Sequence, residues 1–177
     1  MRSTFVLIAS TVLAFSSCTS KHGPSVPPPE VVPRVDLERY AGTWHEIASY
    51  PNRFQKGCSN TNATYTLRKD GKIEVINRCR RNGREDSVNG SARVSDKTTN
   101  AKLKVTFFWP FYGDYWIIDL GESYDYAVVS NPDRKYLWIL SRTPQLDEAR
   151  YTRILERMRG KGFDVDKLVK TNQDKTQ

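Results

Sequence analysis

Apolar and polar residues alternate with a period of two over much of residues 35–142, in short runs separated by turn residues. Leu103, Val105, Phe107 and Trp109 share one parity, against Lys102, Lys104, Thr106 and Phe108 on the other. Trp116, Ile118 and Leu120 likewise oppose Tyr115, Ile117 and Asp119. Half-buried strands show this period because successive side chains point to opposite faces of a sheet. The pattern predicts eight strands, over residues 43–50, 63–69, 72–79, 86–95, 103–109, 114–120, 126–130 and 136–142. Asp70-Gly71, Asn82-Gly83, Asp96-Lys97, Trp109-Pro110, Gly121-Glu122 and Asn131-Pro132-Asp133 mark the breaks. Eight strands with tight connections suit an up-and-down barrel, which closes on itself and leaves no edge unpaired. A β-sandwich would alternate in the same way, so periodicity establishes an all-β body without choosing between the two.

The period changes after residue 146. Tyr151, Ile154, Leu155 and Met158 fall at helical spacing behind Asp147 and Glu148, and Gly160 and Gly162 close the segment. Acidic residues at the start and Arg157, Arg159 and Lys161 at the end complement the helix dipole. One helix of about four turns, by its 3.6-residue period, is therefore expected to pack its apolar stripe on the outside of the barrel. Residues 163–169 read as a short returning strand. The segment from residue 171 to 177 is polar and is expected to fray.

The N-terminus has a different character. Arg2 precedes an uncharged run over residues 3–17, rich in Phe, Val, Leu, Ile and Ala, and then Cys18. That order fits an export signal and is too short for a comfortable transmembrane helix. Phe15-Ser16-Ser17-Cys18 resembles the bacterial lipobox, in which the cysteine becomes the acylated first residue of the mature chain. Thr19 stands where an Asp would retain a lipoprotein in the inner membrane, so the resemblance implies outer-membrane placement facing the periplasm. An ordinary secretory peptide with an unpaired cysteine is the plainer alternative. Residues 18–34 carry five of the nine prolines and read as an extended spacer between the anchor and a domain spanning residues 35–170.

Composition adds little beyond this. Four Trp, nine Tyr and seven Phe suit a β-rich fold. The formal charge of +8 comes from basic residues scattered among acidic ones, with only Arg78, Arg80, Arg81 and Arg84 clustered, so nucleic acid is not an expected partner. Three cysteines are an odd number for an exported chain. Lipidation of Cys18 leaves Cys58 and Cys79 as a disulfide pair, with two separate thiols the alternative. A simple register about Asp70-Gly71 places Cys58 opposite Gly83, so a bridge requires a bulge or a Cys58 lying before its strand.

Tyr40-Ala41-Gly42-Thr43-Trp44-His45-Glu46 contains G-x-W; Tyr124-Asp125-Tyr126-Ala127-Val128-Val129 and Tyr136-Leu137-Trp138-Ile139-Leu140-Ser141-Arg142 follow in order. Together these blocks resemble the lipocalin family, close to its bacterial outer-membrane lipoproteins, over residues 35–169. The resemblance implies an eight-stranded antiparallel barrel with one C-terminal helix outside it. Trp44 would then plug the closed end beneath Arg142, and Gly42 would permit the tight backbone approach to the first strand. It also implies a small hydrophobic ligand, a fatty acid or a lysophospholipid, held without a cofactor or metal for storage, transport or membrane maintenance. Glu46, sharing the parity of Trp44, is expected to point inward as a carboxylate in need of partners. Phe107, Trp109, Tyr112, Trp116 and Tyr126 are the candidates for the cavity wall or mouth. The aromatic residues at 109–112 alternatively meet a second subunit, forming a homodimer, or the bilayer. His22 and His45 form no acid–base constellation, and no nucleophile or phosphate-loop motif is present, so a binding protein is expected before an enzyme or a structural lipoprotein without a ligand.

Overall fold

The computed structural model describes residues 26–174; Cys18 and the proposed signal segment lie outside the described residues. In chain order the elements are α1 (Leu37–Tyr40), β1 (Gly42–Ser49), β2 (Cys58–Leu67), β3 (Ile73–Arg81), β4 (Arg84–Val94), β5 (Lys102–Phe108), β6 (Phe111–Leu120), β7 (Tyr126–Ser130), β8 (Leu137–Ser141), α2 (Glu148–Gly160) and β9 (Val169–Lys170). Each of the first eight strands pairs antiparallel with its sequence neighbours, and β1 closes the barrel by pairing with both β8 and β2. The eight expected strands are all present. Connections after β1, β3, β5 and β7 gather at one end, which is open. Those after β2, β4 and β6 gather at the other, where α1 covers the barrel.

Two apolar clusters follow from the two faces of the strands. Trp44, Tyr65, Val75, Leu103, Ile117, Val129 and Leu140 meet inside the barrel. Ile47, Ile118, Val128, Leu137 and Ile139 point out and are covered by Tyr151, Ile154 and Met158 of α2. Burying three such side chains contributes on the order of 5–8 kcal/mol before entropy costs. Asp147 caps α2 by accepting the Arg150 N–H at 3.0 Å, and Gly162, at φ +81°, takes the chain away from its C-terminal end.

The bridge between Cys58 and Cys79 is formed, with Cα atoms 5.5 Å apart. Two one-residue shifts account for it. β2 and β3 pair with Leu67 opposite Ile73, one residue off the simple register about Asp70-Gly71. A bulge between Ser59 and Asn62, where Asn60 takes φ +54°, adds the second, so Cys58 comes opposite Arg81 instead of Gly83.

Both chain ends differ from expectation. The described part of the proline-rich segment, residues 26–34, carries no helix or strand, yet it lies against the barrel. Arg134 donates to the Pro27 carbonyl at 2.6 Å beside the open end, Val32 N–H to Ile117 at 3.0 Å, and Val35 N–H to Thr99 at 2.7 Å near the closed end. At the other terminus the polar residues 171–174 are not frayed. β9 pairs with β1, and the chain beyond it lies between β1 and β2 where their direct pairing, which stops at His45–Asn62, has ended. Thr171 N–H donates to Ile47 at 2.9 Å, Asn60 N–H to the Asn172 carbonyl at 2.8 Å, and Asp174 N–H to the Asn60 side chain at 2.7 Å.

Candidate functional site

The closed end is built around Trp44 and Arg142. Trp44 is fully buried, and its indole N–H donates to the Tyr40 carbonyl at 2.8 Å. The Arg142 guanidinium lies 3.8 Å from the indole centroid and donates to the carbonyls of Arg39, Tyr40, Thr43 and Tyr124. Two of these are the last carbonyls of α1, which a helix end leaves unpaired. One cation thus ties α1, β1 and the β6–β7 connection together beneath the plug. Gly42 takes φ +97°, and a Cβ there would come 3.3 Å from Arg142 Nη1, so two constraints select glycine at this position.

Above the plug, Tyr40, Tyr65 and Tyr115 converge. The Tyr115 hydroxyl is 2.7 Å from that of Tyr40 and 3.0 Å from that of Tyr65. Burial pushes all three phenols up, that of Tyr65 to about 12. They are neutral in the physiological range and supply hydrogen bonds without charge. The void beside them is about 10 Å³, room for roughly one water and no ligand. The lower barrel is therefore a packed core.

The open end is where space exists. A cavity of about 650 Å³ lies between the β1–β2 connection, the start of β2 and the C-terminal segment, and is lined by Glu46, Ser49, Gln55, Thr61 and Thr171, with Arg53 and Lys56 at its edge. Its size is that of a small-molecule site. Glu46 is 5% exposed. One of its carboxylate oxygens accepts from the Ser49 hydroxyl at 3.0 Å and the Thr171 hydroxyl at 2.5 Å, and the other accepts from the Gln55 amide. Gln55 in turn accepts the Trp138 indole N–H at 3.1 Å, linking the polar mouth to an inward-facing aromatic residue. Thr61 Oγ1 is buried, borders the same cavity and has no hydrogen-bond partner among the described residues. Such an atom is costly to bury empty-handed.

The residues expected from sequence separate into three groups. Glu46 points inward with partners, as its parity required. Phe107 also faces inward: its ring covers Gly90, where any Cβ would come within 2.6 Å of it. Trp109 and Tyr112 do not enter the lumen; they stand 81% and 45% exposed at the rim, on the β5–β6 hairpin. Trp116 and Tyr126 require correction. Both lie outside the barrel against the helix-side cluster, because Tyr115, Ile117, Ala127 and Val129 take the inward parity of β6 and β7. Lys102 covers the Trp116 ring at 4.3 Å, and Arg157 of α2 donates to the Tyr126 hydroxyl at 2.9 Å. His45 lies on the face of β1 opposite Trp44, and partial burial lowers its basicity. Sequence reasoning missed Ser49, Gln55, Thr61 and Thr171. Parity could have found Thr61, two and four residues before the inward Ala63 and Tyr65; no periodic signal marks Gln55 or Thr171.

Comparison with known proteins agrees with this geometry. Residues 35–173 match the lipocalin-like domain family. The chain is 42% identical to the outer membrane lipoprotein Blc of Citrobacter freundii, covering 95% of this chain and 93% of that one. It is 45% identical to temperature-induced lipocalin-1 of Arabidopsis thaliana over 83% of this chain and 84% of that one. Among solved structures, insecticyanin of the tobacco hornworm Manduca sexta superposes with a TM-score of 0.68 at 25% identity, covering 84% of this chain and 85% of the other. With its three sequence blocks, closed barrel, covering helix and a tryptophan plug backed by an arginine, the chain belongs to the lipocalin family.

Proposed function

We propose that the barrel binds one amphipathic lipid, a fatty acid or a lysophospholipid, non-covalently, and holds it for storage, transport or membrane maintenance. The carrying observation is the division of the lumen. Its lower half is packed shut above Trp44; Phe107 and Trp138 face inward as apolar residues, and a polar cavity at the open end, containing Glu46 and a Thr61 hydroxyl without a partner among the described residues, is linked to Trp138 through Gln55. An acyl chain would lie against the apolar residues and its polar head in the cavity, the arrangement that fixes orientation in small-molecule sites. Similarity to outer membrane lipoproteins supports a tether through acylated Cys18, with the domain at the outer membrane on its periplasmic side.

The residues of both apolar clusters fall between Val31 and Leu168, so a chain beginning at residue 19 retains all of them. That chain, purified, is expected to carry solvent-extractable lipid visible by mass spectrometry. After delipidation it should show saturable quenching of tryptophan emission on titration with lysophosphatidylethanolamine or palmitate. Absence of saturable binding to either would refute the lipid-carrier reading. Cys18→Ala in the full chain should abolish incorporation of labelled palmitate; unchanged labelling would refute Cys18 as the acylated residue.

A further inference from the structure

Large aromatic side chains are concentrated at one place on the surface. Phe108, Trp109, Phe111 and Tyr112, on the tip of the β5–β6 hairpin, are 74%, 81%, 78% and 45% exposed. Phe54, in the β1–β2 connection at the same end, is 61% exposed. None of the five contributes to either core. A contiguous aromatic tip of this kind is unusual on a monomer and marks a surface that something covers.

Three observations identify what covers it. First, the side chains are those that settle at a bilayer interface: Trp and Tyr carry a polar atom on an apolar ring, and two Phe flank them. Second, charge is distributed unequally between the barrel ends. The open-end connections over residues 51–57, 80–86 and 131–136 sum to +4, whereas the closed-end connections over residues 36–41, 68–72, 95–101 and 121–125 sum to −1. The guanidinium of Arg93 also lies 5.2 Å from the Tyr112 ring, just behind the hairpin tip. Basic groups around an apolar tip match the headgroups of an anionic lipid surface. Third, the N-terminal segment passes the same end: Arg134 of the β7–β8 connection donates to the Pro27 carbonyl at 2.6 Å.

We propose that the open end of the barrel docks on an anionic lipid bilayer, with Phe108, Trp109, Phe111 and Tyr112 set into the interfacial region and the basic connections over the headgroups. The docked face is the one that contains the mouth, so lipid exchanges between the membrane and the cavity without crossing bulk water. This contact does not depend on acylation of Cys18 or on which ligand the cavity takes.

The chain from residue 19, which lacks any acyl anchor, tests the contact directly. It should co-sediment with vesicles of phosphatidylethanolamine and phosphatidylglycerol, shift Trp109 emission to the blue, and bind vesicles of phosphatidylcholine alone more weakly. Salt should weaken the anionic binding. The double substitution Trp109→Ser/Phe111→Ser should lower partitioning roughly tenfold or more, the effect of withdrawing two large apolar side chains from a membrane. Its circular dichroism and melting should be unchanged, because neither side chain packs in a core. Equal partitioning of the double variant would overturn the proposal, as would failure of the parent chain to bind either vesicle. A parent that self-associates without vesicles and ignores them would assign the aromatic tip to a second copy of the chain. Loss of vesicle binding with retained lysophospholipid binding would separate this docking surface from the ligand site.

Discussion

Replacing Glu46 by alanine removes the acceptor that holds three parts of the mouth together. The carboxylate receives Ser49 from its own strand, Gln55 from the β1–β2 connection and Thr171 from the C-terminal segment. A hydrogen bond to a charged group contributes about 1.5–3 kcal/mol, so three would set an upper limit of roughly 5–9 kcal/mol. The donors border the 650 Å³ cavity, however, and water can replace much of what they lose. The net cost of Glu46→Ala should therefore be about 2–3 kcal/mol, and that of Glu46→Gln about 1 kcal/mol, because the amide keeps one acceptor for Gln55 while both hydroxyls can turn to accept. Urea unfolding followed by circular dichroism measures both. Loss of Gln55 positioning should also free the Trp138 indole N–H and shift native-state emission to the red, and should weaken lysophospholipid binding by about tenfold, or ~1.4 kcal/mol. A double-mutant cycle with Thr171→Ala should show non-additivity of ~1 kcal/mol, since each single substitution already breaks the shared bond. An alanine variant within ~0.5 kcal/mol of the parent, or strict additivity with Thr171→Ala, would refute the view that this carboxylate anchors the C-terminal segment.

Two further outcomes concern the closed end. Arg142→Met should lower stability by about 3 kcal/mol, because it leaves four carbonyls and the indole face without their cation, and Arg142→Lys should recover about half by keeping the charge without the planar fork; a shift in urea midpoint smaller for Met than for Lys would contradict this. The raised phenols make the fold sensitive to base: above about pH 10 the unfolded chain ionises its tyrosines while the native chain keeps them protonated, so stability falls with rising pH. For Tyr65, whose phenol is pushed to about 12, the loss by about pH 12 is roughly 2–3 kcal/mol, and Tyr65→Phe should flatten the stability profile between about pH 10 and 12.

The strands were readable because they obey a two-residue period and two of their turns carry Asp-Gly or Asn-Gly, and the choice of a barrel came from the ordered sequence blocks at Gly42–Trp44, Tyr124–Val129 and Tyr136–Arg142. The helix was readable because Tyr151, Ile154 and Met158 obey another period. Ambiguity arose where both faces of a strand are apolar. On β6, Tyr115 and Ile117 face the lumen while Trp116 and Ile118 face α2, so burial on either side gives the same composition and parity alone cannot choose. Glu46 escaped this ambiguity because the G-x-W tryptophan set the inward parity of its strand. Gln55, Thr171 and the residues after it were not readable for a different reason: they are held by individual polar bonds to distant groups, and nothing periodic in Thr171-Asn172-Gln173-Asp174 distinguishes a docked end from a solvated one.

The two ends of the barrel use opposite charges in opposite ways, and this decides which end exchanges ligand. At the floor the charged group is a cation, and its partners are backbone carbonyls of α1, β1 and the β6–β7 connection. Those acceptors cannot withdraw unless strands or a helix move, so opening the floor requires disruption of the main chain. At the mouth the charged group is an anion, and its partners are two hydroxyls and an amide on rotatable side chains, next to a cavity where water can substitute. Breaking these contacts needs only rotamer changes in the β1–β2 connection and the C-terminal segment, which places the mouth at the low-energy end of local opening. The phenols of Tyr40, Tyr65 and Tyr115 reinforce the difference by filling the lower lumen with neutral, mutually bonded groups that offer a ligand no space. Any ligand of the barrel would therefore enter and leave past Glu46, beside the rim that carries Trp109 and Phe111, while the signature residues Gly42, Trp44 and Arg142 remain fixed beneath it.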